Sequence, residues 1–427
     1  MSLHRLSSCS RFSGWLLSGC LLALALCASG VQAQALDAWL PSTEQVAPTL
    51  HASPLIQAAR ARQDAQLQRA RGLEAGSGEW ALRLNQQQRR VREPQERFAE
   101  TTAALERPLR LWGKAGMDAR LAEQDREVAR IGLADALHEA SRQLLTDWFG
   151  ALRARLDADS AERERQLALD LDRQARVRLQ QGDISPLDAR LAEAERQRGE
   201  ASVRLAQAEL SRRSAQLQRL YPGLPEPRWP AGASSDPEPL AGDLADALRD
   251  YLAHHHELNL LRAEAQRQQQ LAERTERDRW PDPTVGVYTA RERAGGEQLL
   301  GVSLAMPLSG TYRESQARAA LAEARMLEER VRQLERQLSA DFEARWWQLA
   351  QQQQALTALR AAAATQRQAA DKSLTAYTLG EHSMTELIQN RRLANEQELG
   401  SRRLQLEGLF HRAQIELDMH RLWDLDD

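Results

Sequence analysis

A helical run of about seventy residues without a proline is the feature that most restricts the fold of this chain. It extends from Gly310 to Gly380, and a second run of the same kind extends from Leu111 to Gln181. At 1.5 Å per residue, such a run would be about 100 Å long, which is wider than any compact core. The helices must therefore pack side by side in a long bundle or tube.

Apolar residues repeat every seven positions in the helical segments. The series are Phe342, Leu349 and Leu356 in one segment, and Val203, Leu210 and Leu217 in another. Such a repeat is typical of coiled-coil packing. The composition agrees, since charged residues make up 27% of the chain and aromatic residues only 5%. We therefore predict a mainly α-helical protein.

A strand with alternating side chains leads directly into the second long run. Its large residues are Leu300, Val302, Leu304 and Met306, and the small residues between them are Gly301, Ser303 and Ala305. At Pro307 the apolar period changes from 2 to about 3.6 residues. We expect the large residues to form one apolar face of a strand, and Pro307 to mark the joint between the strand and a helix.

Two pairs of landmarks indicate a tandem duplication of the chain. Pro108 and Pro307 each end a strand-like segment, and they lie 199 residues apart. Gly182 and Gly380 each end a long helical run, and they lie 198 residues apart. Because both offsets agree to within one residue, we infer two copies of a unit of about 200 residues.

The duplication predicts the domain organisation. We expect a first repeat at 34–222, a linker rich in Pro and Gly at 223–240, and a second repeat at 241–427. Each repeat contains a helix, a β-hairpin and a long helical hairpin. The predicted hairpins of strands lie at about 79–108 and 283–308, the helical hairpins at about 110–222 and 311–424, and the second repeat's first helix at about 241–279.

The N-terminus is typical of a signal peptide at residues 1–33. Arg5 and Arg11 precede an apolar run, and small residues end at Ala33. The alternatives are a retained membrane anchor and a lipoprotein signal ending at Cys20, although apolar residues continue after Cys20. The three cysteines, Cys9, Cys20 and Cys27, all lie in this segment, so a chain cleaved after Ala33 has no disulfide or thiol chemistry.

Four amphipathic strands restrict what the exported protein can be. If they cross a membrane, they cannot leave open edges in lipid, and the smallest outer-membrane barrels have about eight strands. Three copies would supply twelve strands. The alternative is that two amphipathic hairpins pack on a soluble core, as in a periplasmic coiled-coil adaptor or a structural protein of an export system. A net charge of −3 argues against a nucleic-acid partner.

Several strings resemble the TolC-type outer-membrane efflux proteins. They are LERPLRLWGKAGMDAR from Leu105, PDPTVGVYTARE from Pro281 with GEQLLGVSLAMPL from Gly296, and YTLGEHSMTELIQNRRLANEQEL from Tyr377. The first two are most similar to the branch that serves cobalt–zinc–cadmium type pumps. The resemblance implies a homotrimer in the outer membrane of a Gram-negative bacterium, with a twelve-stranded β-barrel continued by a periplasmic α-helical barrel.

The same resemblance implies a function and a set of partners. The protein would be the exit duct of a tripartite system, with a periplasmic adaptor and an inner-membrane resistance–nodulation–division pump, and divalent heavy-metal cations as cargo. We expect no cofactor and no enzymatic activity. The histidines at 254–256 point about 100° apart on a helix, so they do not predict a shared metal site.

The resemblance also implies a periplasmic gate at the helix turns. It places Tyr377, His382 and Glu386 there in the second repeat, and Asp188 in the first. Three copies of Asp188 and Glu386 would form a ring of carboxylates that favours cations. The alternative is that both acids are solvated first-turn residues of a helix, where the helix dipole favours them.

The family pattern has one departure at this gate, because the position of its second acid is Gln389. The turn glycines Gly182 and Gly380 would also mark the tips where an adaptor docks. Pro108 and Pro307 would mark the joints between barrel and helices, and Leu300, Val302, Leu304 and Met306 would face lipid.

Overall fold

The computed structural model describes residue 36, the ranges 38–111, 113–230 and 242–423, and residue 425. The predicted signal peptide, including Cys20, lies outside the described residues, as does most of the predicted linker. The helices are α1 (Thr43–His51), α2 (Pro54–Ala75), α3 (Lys114–Gln181), α4 (Pro186–Leu220), α5 (Leu244–His254), α6 (His256–Arg277), α7 (Thr311–Thr378) and α8 (Met384–Asp418). The strands are β1 (Ala81–Val91), β2 (Glu96–Pro108), β3 (Thr284–Glu292) and β4 (Glu297–Ala305).

The order of these elements repeats once along the chain. Each half has short helices, a β-hairpin, a helix of 68 residues, a turn and a helix of 35 residues. The predicted fold class, with its tandem-duplicated helical part and its β part, is confirmed. None of the described helices combines the length and the apolar character that crossing a membrane requires.

The second repeat begins with two helices where the sequence predicted a single one. His255 interrupts the segment with ψ at 115°, which is outside the helical range, and so separates α5 from α6. Its ring Nδ1 accepts a hydrogen bond from the backbone N–H of Leu258 at 3.4 Å. His255 therefore caps the N-terminus of α6, a role that the apolar periodicity of this segment did not reveal.

The four strands form one antiparallel sheet in the order β1-β2-β3-β4. Strands β2 and β3 come from different repeats, and they pair from Thr101 opposite Arg291 to Pro108 opposite Thr284. The sheet thus joins the two hairpins directly and leaves β1 and β4 as its edge strands.

The chain divides into two compact units, and each unit draws on both repeats. The helix-turn unit takes in the described residues of Met1–Leu50, Ser141–Gly242 and Ala344–Asp424. The sheet unit takes in those of His51–Ala140, Asp243–Glu343 and Leu425–Asp427. The units therefore do not follow the boundaries of the sequential repeats, because equivalent elements of the two repeats pack beside each other.

Tryptophans hold the N-terminal segment of the helix-turn unit. Trp148 donates its ring N–H to the carbonyl of Trp39 at 2.7 Å, and Trp423 donates to the carbonyl of Pro41 at 2.9 Å. The Trp39 ring is buried and meets Trp229 edge-on, with ring centroids 4.7 Å apart. This cluster ties the start of the described chain to α3 and to the residues after α8.

In the sheet unit, a buried lysine joins the two repeats. Lys114, at the start of α3, is 1% exposed and donates to the carbonyl of Trp280 at 2.6 Å. Its Nζ also lies 2.9 Å from Asp282 Oδ1 and 3.1 Å from Asp278 Oδ1. The ammonium group is thus compensated by the loop that leads into β3, as a buried charge requires.

Candidate functional site

The turns after the two long helices have the same backbone geometry. Gly182 and Gly380 adopt φ of +79° and +80°. The N–H of each glycine bonds the carbonyl three residues before it, and the next N–H bonds the carbonyl five residues before that residue. This is a Schellman motif, in which a glycine tolerates the left-handed conformation that ends the helix.

Three residues after each glycine, a serine begins the next helix. Ser185 caps α4 and Ser383 caps α8, and in each case the side-chain oxygen accepts from the backbone N–H three residues on. The acids at that position, Asp188 and Glu386, bond back to their serine, with Ser Oγ–carboxylate distances of 2.8 Å and 2.9 Å. Both predicted gate acids are therefore members of a capping box.

The capping box also affects the pKa of Glu386. The backbone N–H of Ser383, and then its hydroxyl, donate to this carboxylate and lower its pKa below the ordinary value, and the charge of His382 adds to the effect. His382 itself is exposed, and its Nδ1 lies 3.3 Å from Ser373 Oγ. Glu386 and His382 thus lie at the same turn, and their role in a gate stays a prediction.

Tyr377, which the resemblance places at the gate, is buried. It is the last of five buried positions in α7 that are spaced seven residues apart, which are Leu349, Leu356, Ala363, Ala370 and Tyr377. The Arg178 guanidinium lies over its ring, 5.0 Å from the centroid. Its hydroxyl has no hydrogen-bond partner among the described residues, and burial raises the pKa of this hydroxyl, with a further contribution from Asp188.

The two helix turns pack against one shared apolar cluster in the helix-turn unit. Its buried members are Leu171, Ala175, Ala192, Tyr377, Met384, Leu387 and Ile388, which come from all four long helices. Ile184, in the turn of the first repeat, packs against them. The cluster therefore fixes the position of one turn relative to the other within this unit.

The sheet has one polar face. Side chains on this face bond across the strands: Arg83 pairs with Glu106 at 3.1 Å, and Arg89 pairs with Glu100 at 3.2 Å. Small residues lie beside them, and an added Cβ on Gly301 would meet the Tyr288 ring at 2.6 Å. The polar face is thus a network of compensated charges with close packing around glycine.

The opposite face, which we call the apolar face, carries large exposed hydrophobic side chains. Leu300, Val302, Leu304 and Met306 are 86%, 82%, 71% and 45% exposed. Exposed apolar residues of the other strands on the same face include Leu82, Leu84, Leu105 and Val287. Monomeric soluble proteins rarely expose a contiguous apolar surface of this kind.

The two predicted joints lie at one end of this sheet. Pro108 ends β2, and the next N–H, of Leu109, donates to the Pro283 carbonyl at 2.8 Å. Pro307 follows the end of β4, and α7 begins at Thr311. Both prolines stand where the chain passes from strand to helix and a ladder N–H is not needed.

The described residues contain no group of three His, Cys, Asp or Glu side chains arranged to hold a metal ion. The consecutive histidines are separated by the break between α5 and α6. His254 lies near Asp250, with Nδ1 3.1 Å from Oδ1, whereas the ring of His256 lies 4.9 Å from that of His138.

Comparisons with known proteins identify this arrangement. The structure superposes on VceC, an outer membrane protein of Vibrio cholerae, with a TM-score of 0.69 over 92% of this chain and 96% of VceC, at 16% identity. It superposes on the outer-membrane channel OprN with a TM-score of 0.71 over 92% of each chain, also at 16% identity. This chain has the fold of the TolC-type outer-membrane channels. The resemblance seen in the sequence is thereby confirmed for the fold.

One curated relative also matches by sequence. The cobalt-zinc-cadmium resistance protein CzcC of Cupriavidus metallidurans is 27% identical over 209 residues, which are 49% of this chain and 50% of CzcC. The chain thus spans about half the length of the curated relative that it matches. No protein-family model matches the chain.

Several residues that shape the helix turns of this TolC-type fold were not predicted from the sequence. Ser185 and Ser383 were not singled out, although serine followed three residues later by an acid is a readable capping signature. Arg178 was also missed, because nothing in its local sequence shows that it stacks on Tyr377 of the other repeat.

Proposed function

We propose that this protein is an outer-membrane channel of a Gram-negative bacterium and forms the exit duct of a tripartite efflux system. The observation that carries the proposal is the exposed apolar face of a sheet whose other face is polar. One chain combines this sheet with two long helical hairpins. A surface of this kind is stable when lipid covers the apolar face and water covers the polar face.

The sheet's edges support an oligomeric channel. Strands β1 and β4 each pair on only one side, and unpaired backbone groups are not tolerated in lipid. Pairing β4 of one copy with β1 of the next satisfies both edges. Three copies supply twelve strands, which is sufficient to close a barrel, and we therefore propose a homotrimer.

The lengths of the strands fit a membrane. Strands β1 and β2 have 11 and 13 residues, and β3 and β4 have 9 residues each. A tilted strand needs about 9–11 residues to cross a bilayer. Trp80 is exposed beside the apolar face, at a position suited to the interface between lipid and water.

The helix turns would act as the periplasmic gate and as the docking tips for an adaptor. Three copies of Asp188 and Glu386 would place six carboxylates around one opening, which attracts cations and repels anions. The capping box supports this role because it holds the Glu386 carboxylate at the turn through its bonds with Ser383. Gly182 and Gly380 would present their turns to the adaptor.

The cargo and the partners are the finer part of the proposal. The similarity to CzcC, a cobalt-zinc-cadmium resistance protein, favours divalent heavy-metal cations. A periplasmic adaptor and an inner-membrane resistance–nodulation–division pump would complete the system. The protein itself would be a conduit and not an enzyme.

Fractionation and export phenotypes test this function. We expect the protein in the outer-membrane fraction as a trimer that dissociates only on heating. We also expect that deleting the gene lowers tolerance to cobalt, zinc or cadmium, and that the wild-type gene restores it. Recovery as a soluble periplasmic monomer would overturn the channel, whereas unchanged metal tolerance with lost drug tolerance would overturn only the proposed cargo.

A further inference from the structure

The two faces of the sheet differ completely in their acidic residues. In the strands, the glutamates that lie on the polar face are Glu96, Glu100, Glu106, Glu292 and Glu297. The strand positions of the apolar face carry no acidic residue. They do carry four arginines, which are Arg90, Arg97, Arg107 and Arg291.

Arg90 and Arg97 lie directly opposite each other on neighbouring strands. Like charges at such positions are normally destabilising, since the Cβ atoms are only about 5 Å apart. Both side chains are exposed, and neither forms an ion pair with any residue that the structure describes. Arg291, on the same face, is exposed and also lacks an ion pair within the described ranges. These three residues form a basic cluster that the protein leaves uncompensated.

The arginines of the polar face show the contrast. Arg83 is paired with Glu106, and Arg89 is paired with both Glu100 and Glu292. Arg107, at the other end of the apolar face, is also engaged, because it donates to the Gly78 carbonyl at 3.0 Å and lies over the Trp80 ring. Among the arginines of the described strands, those without a partner are therefore the three of the basic cluster.

The basic cluster lies at the end of the sheet farthest from the helices. Residues of this face that lie opposite one another on neighbouring strands form cross-strand rows. The row of Arg291 comes directly after the row of Leu300 and Thr289, on the side away from the helices. Arg90 and Arg97 are two rows farther, or about 14 Å along the strand. If the apolar face spans a membrane with the helices in the periplasm, the basic cluster is at the level of the outer-leaflet headgroups.

We propose that Arg90, Arg97 and Arg291 bind the phosphate groups of lipid A, the phosphorylated glycolipid of the outer leaflet. This inference rests on the proposed function, because it requires the sheet to be in the outer membrane. Arginine presents its donors in a fork that matches phosphate oxygens, and a phosphate between Arg90 and Arg97 relieves their repulsion. The acyl chains of the same lipid cover the adjoining apolar face.

A lipid-binding measurement on the purified full-length trimer in detergent tests the site. The probes are bisphosphorylated lipid A, chemically dephosphorylated lipid A and inorganic phosphate, and the readouts are native mass spectrometry and the thermal midpoint of the trimer. We expect bisphosphorylated lipid A to bind and to raise the midpoint, dephosphorylated lipid A to bind at least tenfold more weakly, and inorganic phosphate to have no effect at millimolar concentration.

Three variants locate the binding to the basic cluster. We expect the double variant R90Q/R97Q to weaken lipid A binding by about tenfold or more, and R291Q to weaken it by a smaller factor. The control is R293Q, because Arg293 lies at the same end of the sheet but is paired with Glu297 at 3.1 Å. R293Q should bind like the wild type.

The outcomes separate this inference from the proposed function. A trimer in the outer membrane that binds both lipid A forms equally, or an R90Q/R97Q trimer that binds like the wild type, overturns the lipid A site alone. Absence of a membrane-inserted trimer overturns the proposed function, and the lipid A site with it. Retained heat-dissociable trimer shows that each variant has folded.

Discussion

Ser383 and Glu386 form a closed pair of hydrogen bonds at the start of α8, with Ser383 Oγ 2.9 Å from Glu386 Oε2 and the Glu386 N–H donating to Ser383 Oγ at 3.3 Å. Ser185 and Asp188 repeat the pair 198 residues earlier at the start of α4. The duplication is thus preserved in the hydrogen bonds of the turns as well as in the order of elements. These pairs hold the proposed gate acids in fixed positions.

The pH dependence of the second pair can be predicted. The pKa of Glu386 is lowered in the folded protein, so its stabilising contribution is present at neutral pH and is lost as the pH falls from the ordinary glutamate range through the lowered value. The variant S383A removes one of the two donors and should raise the pKa of Glu386. Carbon-detected NMR titration of the Glu386 carboxyl measures this shift.

The matched control for this titration is S185A, which alters the equivalent pair in the first repeat. It should leave the pKa of Glu386 unchanged. If the pKa is equal in the wild type and S383A, the hydroxyl of Ser383 does not lower it.

The turn glycines should be sensitive to substitution. Gly380→Ala places a Cβ at φ of +80°, which should cost about 1 kcal/mol of folding free energy. Gly400 is the control, because it lies inside α8 with open space around its Cα. Gly400→Ala should stabilise the helix, by up to about 1 kcal/mol. Denaturant unfolding followed by circular dichroism measures both effects. A shift of the unfolding midpoint in the same direction for both variants would contradict this account.

Substitutions of Tyr377 separate the contributions of its ring and its hydroxyl to stability. Its hydroxyl is buried without a partner in the described chain, so Tyr377→Phe should leave stability unchanged or raise it by about 1 kcal/mol. Tyr377→Ala should lower stability by about 3 kcal/mol or more, because it opens a cavity in the apolar cluster. Thermal midpoints measure both effects. A large loss in the Phe variant would show that the hydroxyl has a partner, for example in a neighbouring copy.

The sequence contains two lysines, and they should differ sharply in reactivity. Lys114 is enclosed by Trp280, Asp278 and Asp282, whereas Lys372 is exposed. An amine-reactive reagent should label Lys372 in the native protein and Lys114 only after unfolding, as peptide mapping would show.

Lys114→Met should lower stability by about 3 kcal/mol, because it leaves the loop before β3 without its counter-charge. Lys372→Met is the control and should change stability little. Equal labelling of both lysines in the native protein would contradict the buried position of Lys114.

Much of the fold follows from periodicity in the sequence, while the site depends on contacts that the sequence does not encode locally. The alternation from Leu300 to Met306 and the offsets of Gly182 and Gly380 predicted the strand and the turns. The heptad from Leu349 also extends to Tyr377, so its burial was readable in the same pattern. The stacking of Arg178 on Tyr377 was not readable, because these residues meet only when the two repeats pack together.

The central claim is that β4 separates lipid from water, and single cysteines along this strand test it most directly. No cysteine follows Cys27 in the sequence, so each introduced thiol is the only target in a chain cleaved after Ala33. In intact outer membranes, cysteines at positions 300, 302 and 304 should stay unreactive toward a small water-soluble maleimide, because the thiolate that attacks the reagent does not form in lipid, and they should react after denaturation. Cysteines at 303 and 305 should react with the same reagent in intact membranes. Reaction of every position with the water-soluble reagent would contradict the account.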